Sequence, residues 1–463
     1  MTSISIIGTG YVGLVTGTCL SEFGLNVICM DTDAQKIHDL EQGKIPIYEP
    51  GLPALITKNV ASGHLSFTTD IAAAVTASQV IFLAVHTPPG EDGSADLRHV
   101  LAAADSIAQH MTDYKVIVNK STVPIGTGRK VKEIIRARLE RRGLPLDFDV
   151  VSNPEFLREG SAIRDFMHPD RIVIGSDNEK SREIIRDIYN VLYLIETPFI
   201  FTSLETAELV KYASNAFLAT KIAFINEVAG LCDSVKADVR DIAKAMGMDG
   251  RIGKYFLHPG PGFGGSCLPK DTKALVKIGQ EHGIRMSIVD SVIKANDFQR
   301  HRMVKKIEDG LSDLNGKVIG ILGLAFKQGT DDIRESSSIP IILEIIEKGG
   351  RVRVFDPQAM ENAKKLPFAK VASVESGQQN EVVHSDFADG PYQLMYGVDE
   401  YDVAKGADAI VILTEWNQFR HLDLSRIVTS MRGRHFYDFR NIYEPEDVSK
   451  FGFIYEGIGR PKS

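Results

Sequence analysis

A glycine turn at the start of the chain is the feature that most constrains its fold. An apolar run, Ser3–Ile7, leads into the pattern G-x-G-x-x-G at Gly8, Gly10 and Gly13; a helical pattern follows, and a second apolar run ends on Asp31. In this pattern the first glycine permits a tight turn, the second lets the backbone approach a pyrophosphate, and the third lets the helix pack on the strand. The order strand, glycine turn, helix, strand therefore predicts a dinucleotide-binding α/β domain.

Short apolar runs continue to alternate with helical patterns over about residues 1–200. The elements predicted there are strands at 79–85, 115–124, 150–152 and 171–175 and helices at 97–109 and 126–142. The runs are short and rich in β-branched residues, which is typical of strands buried on both faces of a parallel sheet. This alternation predicts a doubly wound α/β domain.

The middle of the chain follows a different pattern. From Ser203 to Val235, apolar residues recur at helical spacing and neither Gly nor Pro occurs before Gly230, which predicts one long helix capped by Ser203. Such a helix must bury its apolar face, either between domains or against a second copy of the chain. Further helices are predicted at 238–246 and 287–312.

The alternation of strands and helices returns from Gly316 onward. Three buried strands are predicted in GKVIGILGLAFK, RVRVFDP and DAIVILTEW, and the polar stretch 375–386 is predicted to be a surface loop. The first of these strands lacks G-x-G-x-x-G, so this half should not bind a second dinucleotide in the same way. The predicted fold class is α/β, with two doubly wound Rossmann-like domains at 1–200 and 314–463 joined by a central helical region at 201–313, which contains the long helix.

Length and charge limit the classes of protein that remain. With 463 residues the chain is expected to form two or three domains, and its formal net charge of -8 argues against a nucleic-acid partner. No apolar run approaches the ~18 residues of a membrane span, and the N-terminus lacks the pattern of a signal peptide. Four cysteines in a chain of this length do not suggest a disulfide framework. We expect a cytoplasmic protein with reduced thiols and no membrane partner.

The acidic residue at the end of the second strand bears on the choice of cofactor. Asp31 follows Gly13 by 18 residues, a position from which a carboxylate accepts hydrogen bonds from the adenosine ribose. A carboxylate there repels a 2′-phosphate, so the sequence predicts NAD rather than NADP. The alternative is that Asp31 only caps the next helix.

Two further turns are candidates for the same ligand. Residues 86–89 (HTPP) and 120–124 (KSTVP) each follow the core of a predicted strand. Ligands of open α/β sheets bind outside the carboxyl ends of the strands. An ordinary proline turn is the alternative at each place.

Cys267 differs from the other cysteines. Cys19, Cys29 and Cys232 lie in apolar periodic segments, as small core residues do. Cys267 follows the glycine-rich part of GPGFGGSCLPKDT, where the glycines would leave room for a ligand and the Lys-Asp pair can favour the thiolate and take a proton. A reactive thiol, an inert thiol in a glycine turn and a metal ligand are the alternatives, and no second Cys or His at ligand spacing supports a metal.

A nicotinamide cofactor together with a nucleophilic cysteine predicts oxidation to the acid level. An alcohol needs only a base and a hydride acceptor to become an aldehyde. A thiol helps the next step, because it forms a thiohemiacetal that gives up hydride and leaves a thioester for water to hydrolyse.

A series of motifs resembles the UDP-glucose/GDP-mannose dehydrogenase family, and its UDP-glucose branch most closely. The motifs are GTGYVG, KSTVP, NPEFLREG, ELVKYASNAFLA, GMDGRIG, GFGGSCLPKD, GLAFKQGTDDIRESSS and FRN, in this order over nearly the whole chain. The resemblance implies that the 6-hydroxymethyl group of UDP-glucose is oxidised to the carboxylate of UDP-glucuronate, with two NAD reduced, through a thiohemiacetal and a thioester on Cys267. It implies that Glu155 activates the water that hydrolyses the thioester.

The resemblance also implies roles on the long helix and beside the cysteine. Lys211 and Asn215, four residues apart on one helix face, would stabilise the oxyanions of the reaction. Asp271 would act with Lys211 and water as a base, and Thr122 would form a hydrogen bond to that water. The implied catalytic residues are Cys267, Lys211, Asn215, Asp271, Glu155 and Thr122, and no metal is expected.

The binding residues implied by the resemblance form two groups. Those for NAD are Gly8, Gly10, Tyr11, Val12, Gly13, Asp31, Lys36, Thr87, Pro88, Ser121, Thr122, Glu159, Lys270 and Arg334. Those for UDP-glucose are Glu155, Phe156, Leu157, Glu159, Lys211, Asn215, Arg251, Phe263, Gly264, Phe326, Lys327 and Arg440. Arg251 is implied to come from a partner subunit, so a homodimer or a larger homo-oligomer is expected, and the cations of the set offset the pyrophosphate charge.

Alternatives exist within and outside the family. Within the family, GDP-mannose or a UDP-N-acetylhexosamine is the alternative substrate. The chain departs from the family pattern at His86, near the cofactor turn, and at Phe439, before Arg440, where family members often carry Gly. A single-step hydroxyacid dehydrogenase would make no use of Cys267. A redox-sensing NAD-binding protein would use Cys267 as a switch and would reduce no NAD in the presence of nucleotide sugars.

Overall fold

The computed structural model of the chain describes residues 2–90, 93–366 and 393–461. The chain divides into two units. The N-terminal unit comprises Met1–Ser214 and Ala274–Arg285, and the C-terminal unit comprises Asn215–Lys273 and Met286–Ser463. The polar stretch 375–386, predicted to be a surface loop, lies outside the described residues.

One sheet forms the centre of the N-terminal unit. Its described strands are β1 (Ile4–Ile7), β2 (Val27–Met30), β3 (Leu65–Thr68), β4 (Val80–Leu83), β5 (Lys115–Asn119), β6 (Phe148–Ser152), β7 (Ile172–Gly175) and β8 (Phe199–Thr202). They lie in the order β3-β2-β1-β4-β5-β6-β7-β8; the first six run parallel, and β7 and β8 run in the opposite direction. The first six strands thus have the order of a dinucleotide-binding sheet.

Helices cover both faces of this sheet. They are α1 (Tyr11–Glu22), α2 (Ala34–Glu41), α3 (Leu52–Ala61), α4 (Ile71–Ala77), α5 (Arg98–His110), α6 (Thr127–Arg141), α7 (Ala162–Met167) and α8 (Glu179–Tyr189). Alternate side chains of β4 point to opposite faces, so Val80 packs in the same cluster as Leu14 of α1, and Ile81 packs in the same cluster as Val100 of α5. Burial on both faces explains why the strands appear as continuous apolar runs in the sequence.

A helix of 32 residues, α9 (Leu204–Val235), follows β8. The hydroxyl of Ser203 accepts a hydrogen bond from the Thr206 N–H at 3.2 Å, so the predicted helix start is confirmed. From Phe217 to the end of the helix, the large apolar side chains that are exposed are Phe217, Phe224, Leu231 and Val235. Residues seven apart lie on the same side of an α-helix, so these side chains form an apolar stripe.

A second sheet forms the centre of the C-terminal unit. Its described strands are β9 (Val318–Leu322), β10 (Arg351–Phe355), β11 (Leu394–Tyr396), β12 (Ala409–Ile412), β13 (His435–Asp438) and β14 (Ile454–Gly457). All pairs are parallel, in the order β11-β10-β9-β12-β13-β14. The described helices that follow α9 are α10 (Val239–Met248), α11 (Leu268–Glu281), α12 (Ser287–Leu311), α13 (Ser338–Glu347), α14 (Met360–Ala363), α15 (Leu424–Ser430) and α16 (Pro445–Ser449).

The predicted fold class is confirmed, with two Rossmann-like sheets and one long helix. Five short strands were not predicted: β3, β8, β11, β13 and β14. Four of them are the edge strands of the two sheets, where side chains are less uniformly apolar. Within the described residues, no helix combines the length and the apolar character needed to cross a membrane.

Candidate active site

The glycine turn between β1 and α1 has the shape expected of a pyrophosphate site. Gly8 has a φ of +103°, a conformation that L-residues rarely adopt, and a Cβ on Gly13 would collide with the Gly8 carbonyl oxygen. A Cβ on Gly10 would meet nothing within 4 Å. Gly8 and Gly13 therefore make the tight turn possible, and Gly10 leaves its outer side open to a ligand.

Asp31 follows β2 beside this turn. Its Oδ2 atom accepts hydrogen bonds from the N–H and hydroxyl of Thr9 at 2.8 Å and from the Lys36 amine at 3.0 Å. Burial alone would raise the pKa of Asp31, but the hydrogen bonds outweigh it and lower the pKa, so the group is a carboxylate at neutral pH. The cap of α2 is Asp33, which accepts from the Gln35 N–H at 3.0 Å. The alternative that Asp31 only caps this helix is therefore wrong.

The two predicted proline turns lie side by side at the ends of β4 and β5. The Thr87 hydroxyl donates to the Thr122 carbonyl oxygen at 3.0 Å, and the Ser121 hydroxyl donates to the Val85 carbonyl oxygen at 2.6 Å. Pro88 follows Thr87 in the first turn. The structure thus brings the predicted cofactor residues of both turns together at the carboxyl edge of the sheet, where ligands bind.

A carboxylate on the turn after β6 is held by a lysine of α9. Lys211 Nζ lies 2.8 Å from Glu155 Oε1, and the Leu157 N–H donates to Glu155 Oε2 at 2.5 Å. Both Lys211 and Glu155 are buried. The Phe156 ring, next in sequence, lies under the Arg171 guanidinium at 3.6 Å from the ring centroid, with the Lys211 amine 5.5 Å from the same point. These contacts fix Glu155 and Phe156 in one arrangement.

Glu49 is a candidate site residue that the sequence analysis missed. It is buried and accepts hydrogen bonds from the Tyr11 hydroxyl and from the N–H groups of Gly160 and Ala162, the latter two at 2.7 and 2.8 Å. Burial, followed by the contact with Glu49, raises the pKa of Tyr11, so its hydroxyl keeps the proton that it donates. Glu49 thereby ties the start of α1, which also contains Val12, to the segment that carries the partly exposed Glu159. In the sequence Glu49 stands before Pro-Gly, a pattern that indicates only a turn.

Cys267 stands immediately before α11, and its side chain is partly exposed. The Asp271 N–H donates to the Cys267 carbonyl oxygen at 2.8 Å, so Asp271 lies one helical turn beyond the cysteine. Asp271 is buried and accepts from Asn215 Nδ2 at 2.6 Å and from Lys270 Nζ at 2.5 Å. The N-terminus of a helix favours negative charge, so this position favours a thiolate at Cys267.

The glycines before Cys267 were predicted to leave room for a ligand, and that prediction is wrong at Gly262, Gly264 and Gly265. A Cβ on Gly264 would collide with the Glu335 carbonyl oxygen, and a Cβ on Gly265 would lie 2.8 Å from the Phe326 ring. Gly265 also has a φ of +84°. The segment after β9 fills this space, so glycine is needed here for close packing within the protein.

Arg440 is held against the loop that carries Phe326. Its Nη2 donates to the Phe326 carbonyl oxygen at 3.0 Å, and its Nε donates to the Leu413 carbonyl oxygen at 2.7 Å and lies 3.1 Å from Glu415 Oε2. The Lys327 amine lies 5.8 Å from the centroid of the Phe326 ring. The structure therefore brings together three predicted UDP residues. Glu415, which sequence reasoning missed, is the carboxylate that partners Arg440.

Phe439 and the predicted UDP residue Phe263 are both buried. Phe439 packs its ring 5.8 Å from that of Tyr437 in the core of the C-terminal unit. Phe263 is fixed by Asn296, whose Oδ1 accepts from the Phe263 N–H at 2.8 Å and whose Nδ2 donates to the Phe263 carbonyl oxygen at 3.0 Å.

In the second sheet, the carboxylate at the position that corresponds to Asp31 has different hydrogen-bond partners. Asp356 follows β10 as Asp31 follows β2, but it is fully buried. Its Oδ2 accepts from the N–H groups of Leu324 and Ala325 at 2.7 and 2.9 Å and from the indole N–H of Trp416 at 3.0 Å. Because these bonds occupy the carboxylate, it is not available to a ribose. This supports the expectation that the C-terminal half does not bind a dinucleotide in the manner of the first.

Two predicted arginines lie on exposed turns. Arg251 pairs with Asp249 at 2.6 Å, and Arg334 pairs with Asp332 at 2.7 Å, each with the residue two positions before it. The Arg251 side chain is almost fully exposed. Neither of these pairings involves another predicted site residue.

The remaining cysteines are core residues, as predicted. Cys19, Cys29 and Cys232 are buried free thiols. Burial raises the pKa of Cys19 and of Cys29 to about 12, which keeps both protonated and unreactive. In the part of the chain that the structure describes, no three His, Cys, Asp or Glu side chains are grouped to hold a metal ion.

The fold and these side chains define a class of protein: a dehydrogenase with a dinucleotide site at its first sheet and a thiol at the start of a helix. Models of the UDP-glucose/GDP-mannose dehydrogenase family match the chain in three parts, the NAD binding domain at residues 2–193, the central domain at 205–298 and the UDP binding domain at 320–445. The chain therefore belongs to this family, and it is an NAD-dependent oxidoreductase.

Similar proteins agree with this assignment. The chain is 47% identical over 462 residues to the UDP-glucose 6-dehydrogenase of Rhizobium meliloti (strain 1021), covering 99% of both chains. It matches the structure of a UDP-glucose dehydrogenase from the archaeon Pyrobaculum islandicum with a TM-score of 0.86 and 36% identity, over 99% of this chain and 98% of that one. It matches a UDP-D-ManNAc dehydrogenase from Pyrococcus horikoshii with a TM-score of 0.81 and 26% identity, over 100% of both chains.

Proposed function

We propose that the protein oxidises UDP-glucose to UDP-glucuronate. In the balanced reaction, UDP-glucose, two NAD⁺ and one water give UDP-glucuronate, two NADH and three protons. The observation that carries the proposal is Cys267 at the start of α11, with the buried Asp271 one turn beyond it. The names of the relatives from R. meliloti and P. islandicum support UDP-glucose as the substrate.

The chain's own residues would perform the chemistry as follows. Asp271, with Lys211 and water, would take the proton of the sugar hydroxyl as the sugar carbon loses its first hydride. The Cys267 thiolate would then add to the aldehyde carbon to form a thiohemiacetal. After the second loss of hydride, Glu155 takes a proton from water, the water oxygen attacks the thioester carbonyl carbon, and the C–S bond breaks to return the thiolate. Lys211 and Asn215 donate to the oxygen on which negative charge develops, and Thr122 orients the water.

NAD supplies the acceptor for hydride in both oxidations. We propose that it is held by the cofactor residues named from the sequence. Gly10 offers an open backbone to the pyrophosphate and Asp31 accepts from the ribose, with Lys36 beside it. Thr87 and Ser121 stand on the two turns at the carboxyl edge of the sheet.

We further propose that UDP binds at Phe326, Lys327 and Arg440. The chain would then divide into an NAD-binding domain at 1–200, a central helical region at 201–313 and a UDP-binding domain at 314–463. The protein would be a cytoplasmic homodimer or larger homo-oligomer in which Arg251 serves the partner subunit. The almost fully exposed Arg251 side chain and the apolar stripe of α9 support this assembly.

The test is the NADH yield per molecule of limiting UDP-glucose, measured for the wild type, Cys267→Ser and the control Cys232→Ser. The wild type and the control should give about two NADH per sugar, and Cys267→Ser should lose the second oxidation. A yield of about one NADH in the wild type, or an unaffected Cys267→Ser variant, would refute the thioester route.

A UDP-N-acetylhexosamine or GDP-mannose is the second candidate substrate. The P. horikoshii structure, with the same fold and a TM-score of 0.81, carries a UDP-D-ManNAc dehydrogenase name. Turnover of one of these sugars without turnover of UDP-glucose in the same assay would keep the mechanism and change the substrate.

A further inference from the structure

A buried lysine at the end of β5 has no role in the reaction described so far. Lys120 is 5% exposed, and its amine donates to Asn153 Oδ1 and to the Tyr189 hydroxyl, each at 3.0 Å. The Tyr189 hydroxyl in turn donates to Asn153 Oδ1 at 2.7 Å. These three side chains belong to three different parts of the N-terminal unit: the turn after β5, the turn after β6 and the end of α8.

The surroundings of the amine are unusual for a structural lysine. A buried ammonium group is normally paired with a carboxylate, because removing a charge from water is costly. Here both acceptors are neutral side chains. Burial lowers the pKa of Lys120 to about 8, the charge of Glu155 raises it, and the charge of Lys211 lowers it. Glu155 is thus the carboxylate whose charge acts on the buried amine.

The network also fixes the start of the segment that carries Glu155. The Asn153 N–H donates to the Asn119 carbonyl oxygen at 2.9 Å, and Asn153 Nδ2 donates to the Val173 carbonyl oxygen at 2.8 Å. The Asn153 side chain therefore links β6 to β7, and the Lys120 amine completes the hydrogen bonds of its amide oxygen. Glu155 lies two residues further along, so a rotation of Asn153 would displace it.

Glu155 needs a second means of support if Lys211 takes part in the reaction. In the structure Lys211 Nζ contacts Glu155 Oε1 at 2.8 Å. When Lys211 donates to the oxygen that develops negative charge, this contact weakens and Glu155 loses one of the groups that hold it. A general base must stay within hydrogen-bond reach of the water that it deprotonates, so the position of Glu155 then depends on the network of Lys120, Asn153 and Tyr189.

We propose that Lys120 is a positioning residue that holds the Asn153–Phe156 segment, and with it Glu155, in place for the attack of water on the thioester. This inference rests on the proposed function. It assigns Lys120 to one half of the reaction only, because Glu155 acts in the hydrolysis and not in the two losses of hydride.

The test compares Lys120→Met with Lys115→Met in single-turnover and steady-state kinetics with UDP-glucose and NAD. Methionine keeps the length and the apolar character of the side chain and removes the amine. Lys115 is the matched control, since it lies in β5, the strand that Lys120 follows, is 2% exposed and pairs with Asp113 at 2.9 Å, outside the network. Tyr189→Phe, which removes one hydrogen-bond partner of the amine, is the intermediate variant.

Lys120→Met should still produce a burst of about two NADH per active site, followed by steady turnover at least about tenfold slower than that of the wild type. Intact-mass spectrometry should detect the acyl-enzyme on Cys267 during this slow phase. Tyr189→Phe should show a smaller effect of the same kind, and Lys115→Met should match the wild type within about twofold. The melting temperature of Lys120→Met should not fall, because methionine removes a buried charge.

Other results would overturn the inference. If the burst and the steady rate of Lys120→Met fell by the same factor, or if its melting temperature fell and turnover declined in proportion to the folded fraction, Lys120 would be structural. If Tyr189→Phe alone abolished the burst, the network would act on the oxidation steps instead. A wild type that reduces no NAD with UDP-glucose would identify the failure as that of the proposed function, and the inference would fail with it.

Discussion

Glu208 connects three elements of the N-terminal unit through a single buried carboxyl group. It lies on α9 and accepts hydrogen bonds from the Gly126 and Gly128 N–H groups at the start of α6, at 2.6 and 2.7 Å. It also accepts from the Ser152 hydroxyl at the end of β6, at 3.3 Å. Burial raises the pKa of Glu208 to about 7, although these hydrogen bonds act in the opposite direction. The stability of this unit should therefore depend on pH near neutrality.

Glu208→Gln should reduce the loss of stability between pH 5 and pH 8. The pKa of Glu208 is raised above its ordinary 4.5, so the folded state binds the proton more tightly than the unfolded state. The resulting stabilisation is complete below pH 4.5 and is lost as the pH rises to about 7. It amounts to about 3 kcal/mol, at about 1.4 kcal/mol per pKa unit. Urea unfolding followed by circular dichroism at both pH values measures the difference.

The control for this prediction is Glu205→Gln, one turn earlier on the same helix. The hydrogen bond from Arg129 lowers the pKa of Glu205, so its stabilising effect is present at neutral pH and is lost as the pH falls. The two substitutions should therefore change the pH dependence in opposite directions. An equal slope for the wild type and Glu208→Gln would show that Glu208 is ionised in the folded protein at both pH values.

Sequence patterns located the residues whose chemistry depends on a local motif. The glycine turn, Asp31 and Cys267 were found because each has a fixed place relative to a strand or a helix. Glu49 and Glu415 were not found, and Lys120 was found only as part of a candidate cofactor turn, because their partners lie far away in the sequence. Glu49 and Gly160, for example, are 111 residues apart. A residue that acts through tertiary contacts leaves no local spacing to detect.

At the scale of secondary-structure elements, Gly265→Ala should damage the site that we propose for UDP in the C-terminal unit. A Cβ there would lie 2.8 Å from the Phe326 ring, and the residue has a φ of +84°. Gly283→Ala is the matched control, since Gly283 has a φ of +70° and a Cβ there meets nothing within 4 Å. Both should lose about 1 kcal/mol from backbone strain. Only Gly265→Ala should weaken UDP binding measured by calorimetry, and equal affinities for the two variants would contradict this.

The two sheets were predictable from the alternation of apolar runs with helical patterns, but the direction of individual strands was not. Both sheets appeared as short apolar runs separated by helical patterns, because strands buried on two faces need apolar residues on both. The reversal of β7 and β8 was not predicted, since apolar periodicity carries no information on strand direction. The glycines before Cys267 were assigned to a ligand because sequence cannot show which atoms fill the space above a glycine.

At the scale of the whole molecule, the apolar stripe of α9 should be covered by a second copy of the chain. Phe217 is 65% exposed, and Phe224 and Leu231 follow at intervals of seven residues. Phe217→Glu should shift the sedimentation coefficient toward that of a smaller species, because a charge in an apolar interface is costly. Phe451→Glu, at a side chain that is 43% exposed outside this helix, is the control and should sediment like the wild type. Identical profiles for all three proteins would exclude the stripe as an interface.

The hydrogen bond between Trp416 and Asp356 has an optical consequence. Trp416 is the single tryptophan of the chain, and it adjoins Glu415, the carboxylate that partners Arg440. Intrinsic fluorescence excited selectively at tryptophan therefore originates from one location, beside the residues proposed to bind UDP. A nucleotide that draws Arg440 away from Glu415 would alter the polarity around this fluorophore. The unlabelled protein thus contains its own reporter for nucleotide titrations, and the emission is free of contributions from the N-terminal unit.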